Sequence, residues 1–362
     1  MHVDHLSIGN VRVIRAATVA PGPGFNIVYG GNGSGKTSFL EAIHLLGTGR
    51  SFRTRRRREL VTLGCDGLVV FARVRSASGA NHSIGLQKEG SGTAIRIDGE
   101  DVRAASALAR ILPALFIGAD CGRLLEEPDR RRGLLDWAVF HVEPGFLPVL
   151  QRFQRILKQR NAVLRAGRSG PGLRTWDKSY AQAAEQVEEI RERHIEALVE
   201  FMGAFTSELL NLPIAMEYRR GWSDEMTLEQ ELEAGRETDL RLGYTRPGPH
   251  RADVHFEVHG LSVRRVLSRG ESKLLALGFA LAQAAFVHRA TSEAPVLLLD
   301  DVGAELDDTS QSKLVSSLGR LGAQAFITTV EEQVERWSPI RVGENTASSM
   351  FHVEQGEIQQ VV

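Results

Sequence analysis

The chain has 362 residues, 42% of them hydrophobic and 25% charged, enough apolar material for two or three packed cores. Its 44 basic residues face 45 acidic ones, a formal net charge of −1, so no global positive field exists and any nucleic-acid surface must be local. Cys65 and Cys121 are the two cysteines; they exclude a disulfide framework and a cysteine metal site, and suit a reducing compartment. Met1–His5 lacks the positive and apolar regions of a secretory signal. No apolar run approaches transmembrane length, so the sequence predicts a soluble, cytoplasmic protein.

From Val3 to Ile14 apolar and polar residues alternate loosely, which predicts a strand and its hairpin partner. Phe25, Ile27 and Val28 then read as a strand feeding Gly30-Gly31-Asn32-Gly33-Ser34-Gly35-Lys36-Thr37, and Ser38 to Leu46 reads as the helix leaving it. That is a complete phosphate-binding loop in its proper setting. Its glycines let backbone N–H groups turn onto phosphate, and the helix N-terminus adds partial positive charge. Lys36 is expected to reach the β/γ-phosphates and the Thr37 hydroxyl to bind Mg²⁺. Nucleoside triphosphate, with ATP as its form here, is the predicted ligand.

The next segment holds six arginines in nine positions: Arg50, Arg53, Arg55, Arg56, Arg57 and Arg58. Residues 67–75, 82–88 and 93–98 read as strands separated by Gly/Ser turns. Residues 1–116 therefore form the N-terminal part of an α/β head with an antiparallel β portion.

After Pro113 the character becomes helical. Phe146, Leu150, Phe153, Leu157 and Leu164 fall on one helix face, and a Gly/Pro break follows at residues 167–172. A second long helix covers about 175–210, with Val187, Ile190, His194, Leu198, Phe201 and Phe205 on its apolar side. The two predict an antiparallel hairpin. Glu185, Glu188, Glu189, Glu192, Glu196 and Glu200 read as its solvated face, with Arg191 and Arg193 interspersed. Strand alternation returns at Arg251–Val258. The predicted organisation is a discontinuous head, residues 1–116 and 250–362, interrupted by a helical lobe at 117–249.

Pro295-Val296-Leu297-Leu298-Leu299-Asp300-Asp301 is an apolar strand ending in two carboxylates. Its aliphatic run wants burial on both faces, as in a parallel sheet, and its acids lie where α/β folds place ligands. Asp300 is expected to hold Mg²⁺ beside Thr37, and Asp301 to polarise the attacking water. A solvated strand end gives the same pattern when read alone; the phosphate loop supplies the weight. Ser268-Arg269-Gly270-Glu271-Ser272-Lys273 opens an apolar helix. Its plain reading is a capping box, with Ser268 as cap and Glu271 reaching back. The other reading is a second anion site at a helix N-terminus, built from a hydroxyl and a glycine.

These motifs, with Ala304-Glu305-Leu306-Asp307 after the carboxylates, stand in the order seen in ATP-binding-cassette ATPases of the chromosome-maintenance and Rad50 type. Ser268–Lys273 resembles that family's signature loop and Ala304–Asp307 its D-loop. Within that group the chain is similar, over essentially its whole length, to the RecF-type recombination mediators of bacteria. Asn32, Thr48-Gly49-Arg50-Ser51-Phe52-Arg53, the run Pro128 to Trp137 and Glu305-Leu306-Asp307 carry this narrower likeness. There are departures. Glu271 stands where the signature usually has Gln, Asp301 where transporters have Glu, and Thr328 and Thr329 where a switch histidine is expected. No glutamine loop is visible at residues 116–120.

The resemblance implies ATP sandwiched between two copies of the chain. Lys36, Thr37, Asp300 and Asp301 of one copy would face Ser268 and Gly270 of the other, and Asp307 would also bind nucleotide. It implies an ATP-induced homodimer that binds double-stranded or gapped DNA, hydrolyses ATP slowly, associates with the nucleoid and acts with RecO- and RecR-like proteins. The arginines at 50, 53 and 55–58 are the expected DNA surface: their forks suit phosphate oxygens, and no base-reading motif accompanies them. Their bland reading is a solvated loop or one that pairs with acids of the partner copy. Arg130-Arg131-Arg132 at a helix start oppose the helix dipole and ask for an anion or an acidic neighbour such as Asp136. The rival classes are a transporter-associated ATPase and an ATP-gated chromosome scaffold with little turnover.

Overall fold

Period-two burial builds the first sheet. In the computed structural model, which describes residues 1–167, 171–337 and 348–361, β4 (Gly67–Arg75) buries Leu68, Val70, Ala72 and Val74 while Val69, Arg73 and Arg75 face out. It is central to an antiparallel sheet ordered β2-β1-β4-β5-β6-β7. The partners are β1 (His2–Val11), β2 (Ile14–Val19), β5 (Asn81–Glu89), β6 (Gly92–Ile97) and β7 (Glu100–Asp101).

A second sheet joins the two ends of the chain, in the order β15-β14-β3-β13-β12-β8. β3 (Phe25–Tyr29), β8 (Ala114–Ile117), β12 (Val296–Asp300), β13 (Ala325–Thr329) and β14 (Ser349–Glu354) run parallel, and β15 (Glu357–Val361) is antiparallel at the edge. Val296 to Leu299 are all buried, as a parallel strand covered on both faces requires. Between the sheets lies α1 (Lys36–Thr48), apolar nearly all round. Its Phe39, Leu40, Ile43 and Leu46 share one core with Ile8, Val70 and Leu86 of the first sheet and Leu298, Phe326 and Phe351 of the second. With α2 (Ser106–Ile111) and α9 (Asp308–Leu321), these elements make one compact unit, Met1–Cys121 with Lys273–Val362.

The second unit, Gly122–Ser272, is helical with a small sheet. It contains α3 (Pro128–Val142), α4 (Phe146–Arg165), α5 (Pro171–Leu209), β9 (Ile214–Arg219), α6 (Leu228–Leu242), β10 (Asp253–Val258), β11 (Leu261–Ser262) and α7 (Val263–Val266). α4 and α5 form the expected hairpin, with Arg160 ion-paired to Asp177 and Phe153 beside Tyr180 at 5.5 Å. The break between them includes residues 168–170, which lie outside the described residues. The expected boundary at 249/250 is not where the units divide. β10 is hydrogen-bonded along its length to β9, so residues 250–272 group with the helical unit. The division falls inside α8 (Arg269–Thr291).

Three expectations about side chains are corrected here. Glu188 is buried rather than solvated and accepts a 3.0 Å hydrogen bond from the Tyr218 hydroxyl. Arg191 is buried too, and it is Asp136's partner, at 2.8 and 2.9 Å. Arg131 finds its acid elsewhere, in Asp253 at 2.8 and 2.9 Å, and Arg132 donates to the Ala252 carbonyl. Finally, α8 is long and apolar enough by composition to cross a membrane, contrary to the sequence reading. Two-thirds of its apolar window, 67%, is buried inside the protein, as in a core helix.

Candidate nucleotide site

The phosphate loop follows β3, third in its sheet, and closes onto α1. Gly30, Gly33 and Gly35 all have positive φ, +148°, +78° and +123°, conformations that L side chains rarely adopt. At Gly30 space forbids a side chain as well, since a Cβ would lie 2.2 Å from the Val353 carbonyl oxygen of β14. The turn between β14 and β15 braces the loop from the same side, with the Gly356 N–H donating to the Ser34 carbonyl at 2.8 Å. Nothing in the local sequence announced this brace, because the partners are more than 300 positions apart.

Lys36 lies folded over the loop, its Nζ donating to the Gly30 and Gly31 carbonyls at 2.7 and 2.9 Å. Burial lowers its pKa, against the pull of Asp301 and Asp300. The Thr37 hydroxyl stands 3.0 and 3.1 Å from the two oxygens of Asp300, although 263 positions separate the residues. Burial raises the Asp300 pKa, opposed by hydrogen bonds from Thr328 and Thr37. Thr328, at the position where a switch histidine is expected, donates to Asp300 at 2.8 Å and accepts from the Asp301 N–H at 2.8 Å. It sets the second carboxylate by its backbone. Asp301 itself is exposed and has φ +53°.

No group of three or more His, Cys, Asp or Glu side chains that could cage a metal occurs among the described residues. One hydroxyl and one carboxylate at 3.0 Å do fit a hard cation that takes its remaining ligands from phosphate and water, as Mg²⁺ does.

The arginine segment is tied to this site by an acid buried in α1. Glu41 takes a two-pronged bond from Arg12 at 2.8 and 3.0 Å and a hydrogen bond from Ser51. Phe52 stacks on Phe116 of β8 with ring centroids 3.6 Å apart. A charged residue in the middle of an apolar helix was the visible signal for Glu41. Arg50, Arg53, Arg55, Arg56 and Arg58 are exposed, and Arg57 is half-buried. Arg53 lies near enough to Asp300 for its charge to lower that carboxyl's pKa, the smallest of the influences on it. Lys88 of β5 is an addition the sequence reading missed. It donates to the Gly49 carbonyl at 3.0 Å, and its pKa is lowered by burial and then by Arg57 and Arg50.

In the second unit Ser268 and Glu271 form the reciprocal cap. The Ser268 N–H and hydroxyl donate to Glu271 at 2.8 and 2.7 Å, and the Glu271 N–H donates back at 3.3 Å. These bonds hold the Glu271 carboxyl below its ordinary pKa. Gly270 lies within the first turn of α8. In the first unit Asp307 caps α9 through the Ser310 N–H at 2.7 Å, and buried Lys273 donates to the Ala304 carbonyl at 2.5 Å.

A phosphate loop, a carboxylate strand two places along a parallel sheet and an antiparallel sheet over the same helix define an ATP-binding-cassette ATPase head. Residues 2–358 match the RecF/RecN/SMC N-terminal domain family. The chain is 40% identical to the DNA replication and repair protein RecF of Pseudomonas aeruginosa strain LESB58, over 99% of this chain and 98% of that one. Against RecF of Pseudomonas putida strain F1 the identity is 39% over the same shares. A solved structure of the recombination mediator protein RecF with ATP, in the RecFOR pathway, superposes with TM-score 0.85 at 26% identity, covering 100% of this chain and 98% of that one. An Smc head bound to the winged-helix domain of ScpA shares the fold, with TM-score 0.62. The chain belongs to the RecF family of DNA replication and repair proteins.

Proposed function

We propose that this chain is an ATP-gated recombination mediator, which binds double-stranded or gapped DNA as an ATP-induced homodimer and hydrolyses ATP slowly to ADP and phosphate. The observation that carries the reading is the 3.0 Å approach of Thr37 to Asp300, which brings the phosphate loop and the carboxylate strand to one point.

In this reading Lys36 leaves the Gly30 and Gly31 carbonyls and neutralises the β/γ-phosphates. Thr37 and Asp300 hold Mg²⁺, which supplies charge neutralisation at the phosphate oxygens. Asp301, exposed at the strand end, orients the attacking water. One chain carries one phosphate loop and one signature loop, so two complete sites require two chains. Ser268, Gly270 and Asp307 of the partner copy then face the γ-phosphate, and the Ser268 hydroxyl turns from Glu271 to do so. The γ-phosphate bridges donors on two surfaces, and its loss on hydrolysis removes the bridge. Nucleotide is thus a timer for a DNA clamp. RecO- and RecR-like proteins, recombinase loading at gaps and maintenance of replication forks complete the role, in the cytoplasm at the nucleoid.

Lys36→Ala and Asp301→Asn test the assignment together. The first should abolish nucleotide binding, because it deletes the charge that meets the phosphates. The second should retain ATP and lengthen the life of the dimer, because it keeps shape while losing the base. Nucleotide affinity, dimer mass and phosphate release measured on both variants give the answer. Equal loss of ATP binding in both would overturn the separate roles.

A further inference from the structure

Near the loop that follows the carboxylate strand, three buried polar atoms have no hydrogen-bond partner among the described residues. Gln311 of α9 is 1% exposed with both Nε2 and Oε1 unpaired, and Trp337 is 0% exposed with its indole N–H unpaired. Both side chains lie against one glycine. A Cβ at Gly303 would lie 2.7 Å from Cζ2 of Trp337 and 3.3 Å from Nε2 of Gln311. Each unsatisfied buried group costs about 1–3 kcal/mol, and native interiors hold few of them. Three on two side chains that touch the same glycine ask for a state that satisfies them.

Gly303 belongs to the loop from Asp301 to Asp307, between β12 and α9. Two non-glycine residues there, Asp301 and Glu305, have φ of +53° and +69°, a strained arrangement that costs of order 1 kcal/mol each and persists only where its surroundings impose it. At its ends the loop is well held, by the Asp301 N–H on Thr328 at 2.8 Å and by Asp307 capping α9. Lys273 grips the Ala304 carbonyl. Its internal turn bonds are long, 3.3 Å from the Ala304 N–H to the Asp301 carbonyl and 3.2 Å from the Leu306 N–H to the Gly303 carbonyl. Strained backbone with weak internal bonds thus lies against unpaired donors and an acceptor.

We infer that residues 302–306 have a second arrangement, in which their main chain pairs with the Gln311 amide and the Trp337 indole, and that Gln311 is the residue that positions the loop there. A carboxamide suits this task. It donates and accepts on one face, so it can take the C=O and N–H of a loop peptide together, while the indole adds a second donor. The chemistry that shifts the loop enters at Asp301, where the loop begins. Here the inference rests on the nucleotide reading above: ATP and its cation beside Asp300 and Asp301 bind the two arrangements differently and so select between them. The loop then carries the state of the carboxylates to α9 and, through Ala304, to Lys273 at the start of α8.

The test uses the full chain, with ¹⁵N-labelled tryptophan and the Trp337 indole N–H assigned by comparison with Trp337→Phe. A non-hydrolysable ATP analogue should move that resonance downfield as the N–H gains an acceptor. Gln311→Leu removes the unpaired atoms at similar volume. It should leave the nucleotide-free protein as stable as wild type or more so and weaken affinity for the analogue, because the arrangement that nucleotide selects loses its support. The loss of affinity should be about tenfold, a usual size for a lost coupling, and kcat for phosphate release at saturating ATP should fall as well. Gln311→Glu, which keeps an acceptor but loses the donor, should fall between. An indole resonance unmoved in protein that binds the analogue overturns the inference, as does Gln311→Leu turnover at the wild-type kcat. Loss of nucleotide-free stability in Gln311→Leu means that ordered water already satisfies the amide, and also overturns it. Should wild type bind no ATP at all, the nucleotide reading fails by itself. Relaxation dispersion of the Trp337 N–H then decides the two-state loop, which Gln311→Leu must quench.

Discussion

From Arg50 to Arg58 the guanidiniums of Arg50, Arg53, Arg55 and Arg58 make no ion pair or side-chain hydrogen bond among the described residues, and Arg56 meets Glu59 at 3.3 Å while 85% exposed. In the helical unit Arg131, Arg160 and Arg191 are buried, and each reaches a carboxylate and another oxygen of the same unit. On the page of sequence both are arginine-rich stretches. The fold separates them by partner: an arginine bonded on several sides sets the register of helices, whereas a row of like charges left to solvent repels itself and gains from an external anion. The pKa of Lys88 is lowered first by burial and then by the charges of Arg57 and Arg50, the direction that such repulsion gives.

The sharpest way to break this contrast is to remove a member of the buried set. Arg160, 0% exposed, donates to Asp177 at 2.9 Å, to Asp239 at 3.0 Å and to Thr245 at 2.7 Å, joining α4, α5 and α6. Arg160→Ala leaves two buried carboxylates short of a partner and should cost about 3–5 kcal/mol of stability. Denaturant unfolding followed by a probe in the helical unit measures it. A loss below about 1 kcal/mol, the size of an exposed pair, would dissolve the distinction.

A smaller effect, with a sign that depends on pH, comes from the acid beside Arg191. That arginine is committed to Asp136, so Glu188 is left with the Tyr218 hydroxyl, and burial pushes its pKa up to about 7 from an ordinary 4.5; Arg191 and Arg220 oppose the rise and Glu192 adds to it. The folded chain therefore holds this proton more tightly than the unfolded one. Glu188's contribution to stability is complete below pH 4.5 and is lost as the pH rises through about 7. Glu188→Gln should match wild type near the low end and exceed it at pH 8 by on the order of 2 kcal/mol. Thermal unfolding across that range checks it, and a variant less stable at pH 8 would show that the charged carboxylate is well compensated.

Much of this arrangement was legible before any coordinates. The phosphate loop, the strand ending at Asp300 and Asp301, the antiparallel strands at 67–97 and the helical hairpin are local patterns of period two, period 3.6 and glycine spacing. What escaped was set by distant partners. β10 reads as a strand wherever it pairs, and only its bonds to β9 put residues 250–272 in the helical unit. Asp136, Asp253 and Arg191 are ordinary charged letters until three dimensions choose which acid meets which arginine. Arg53 lies two places from a surface arginine run yet its charge reaches Asp300, because Ser51 and Phe52 fasten that part of the loop to Glu41 and Phe116.

That placement sharpens the last and smallest expectation for stability. Replacing Arg55, Arg56, Arg57 and Arg58 together by Gln should change folding stability by less than about 0.5 kcal/mol at exposed Arg55 and Arg58, since surface positions outside bonding networks seldom exceed this, and by no more than about 1 kcal/mol at Arg56, which loses an exposed pair. Nucleotide affinity should be untouched as well, because Arg53 is retained beside the carboxylates. Duplex DNA binding, with ATP saturating, should weaken, and the slope of log affinity against log salt should fall by about 0.9 for each phosphate contact removed. Titrations at several salt concentrations read that slope. Arg53→Gln supplies the contrast: it should alter nucleotide turnover while leaving the slope nearly as it was. A quadruple variant with an unchanged slope would assign these arginines to the fold or to the partner copy. The cluster at Arg130–Arg132 could not inherit the role, for Arg131 is buried on Asp253 and Arg132 is spent on the Ala252 carbonyl.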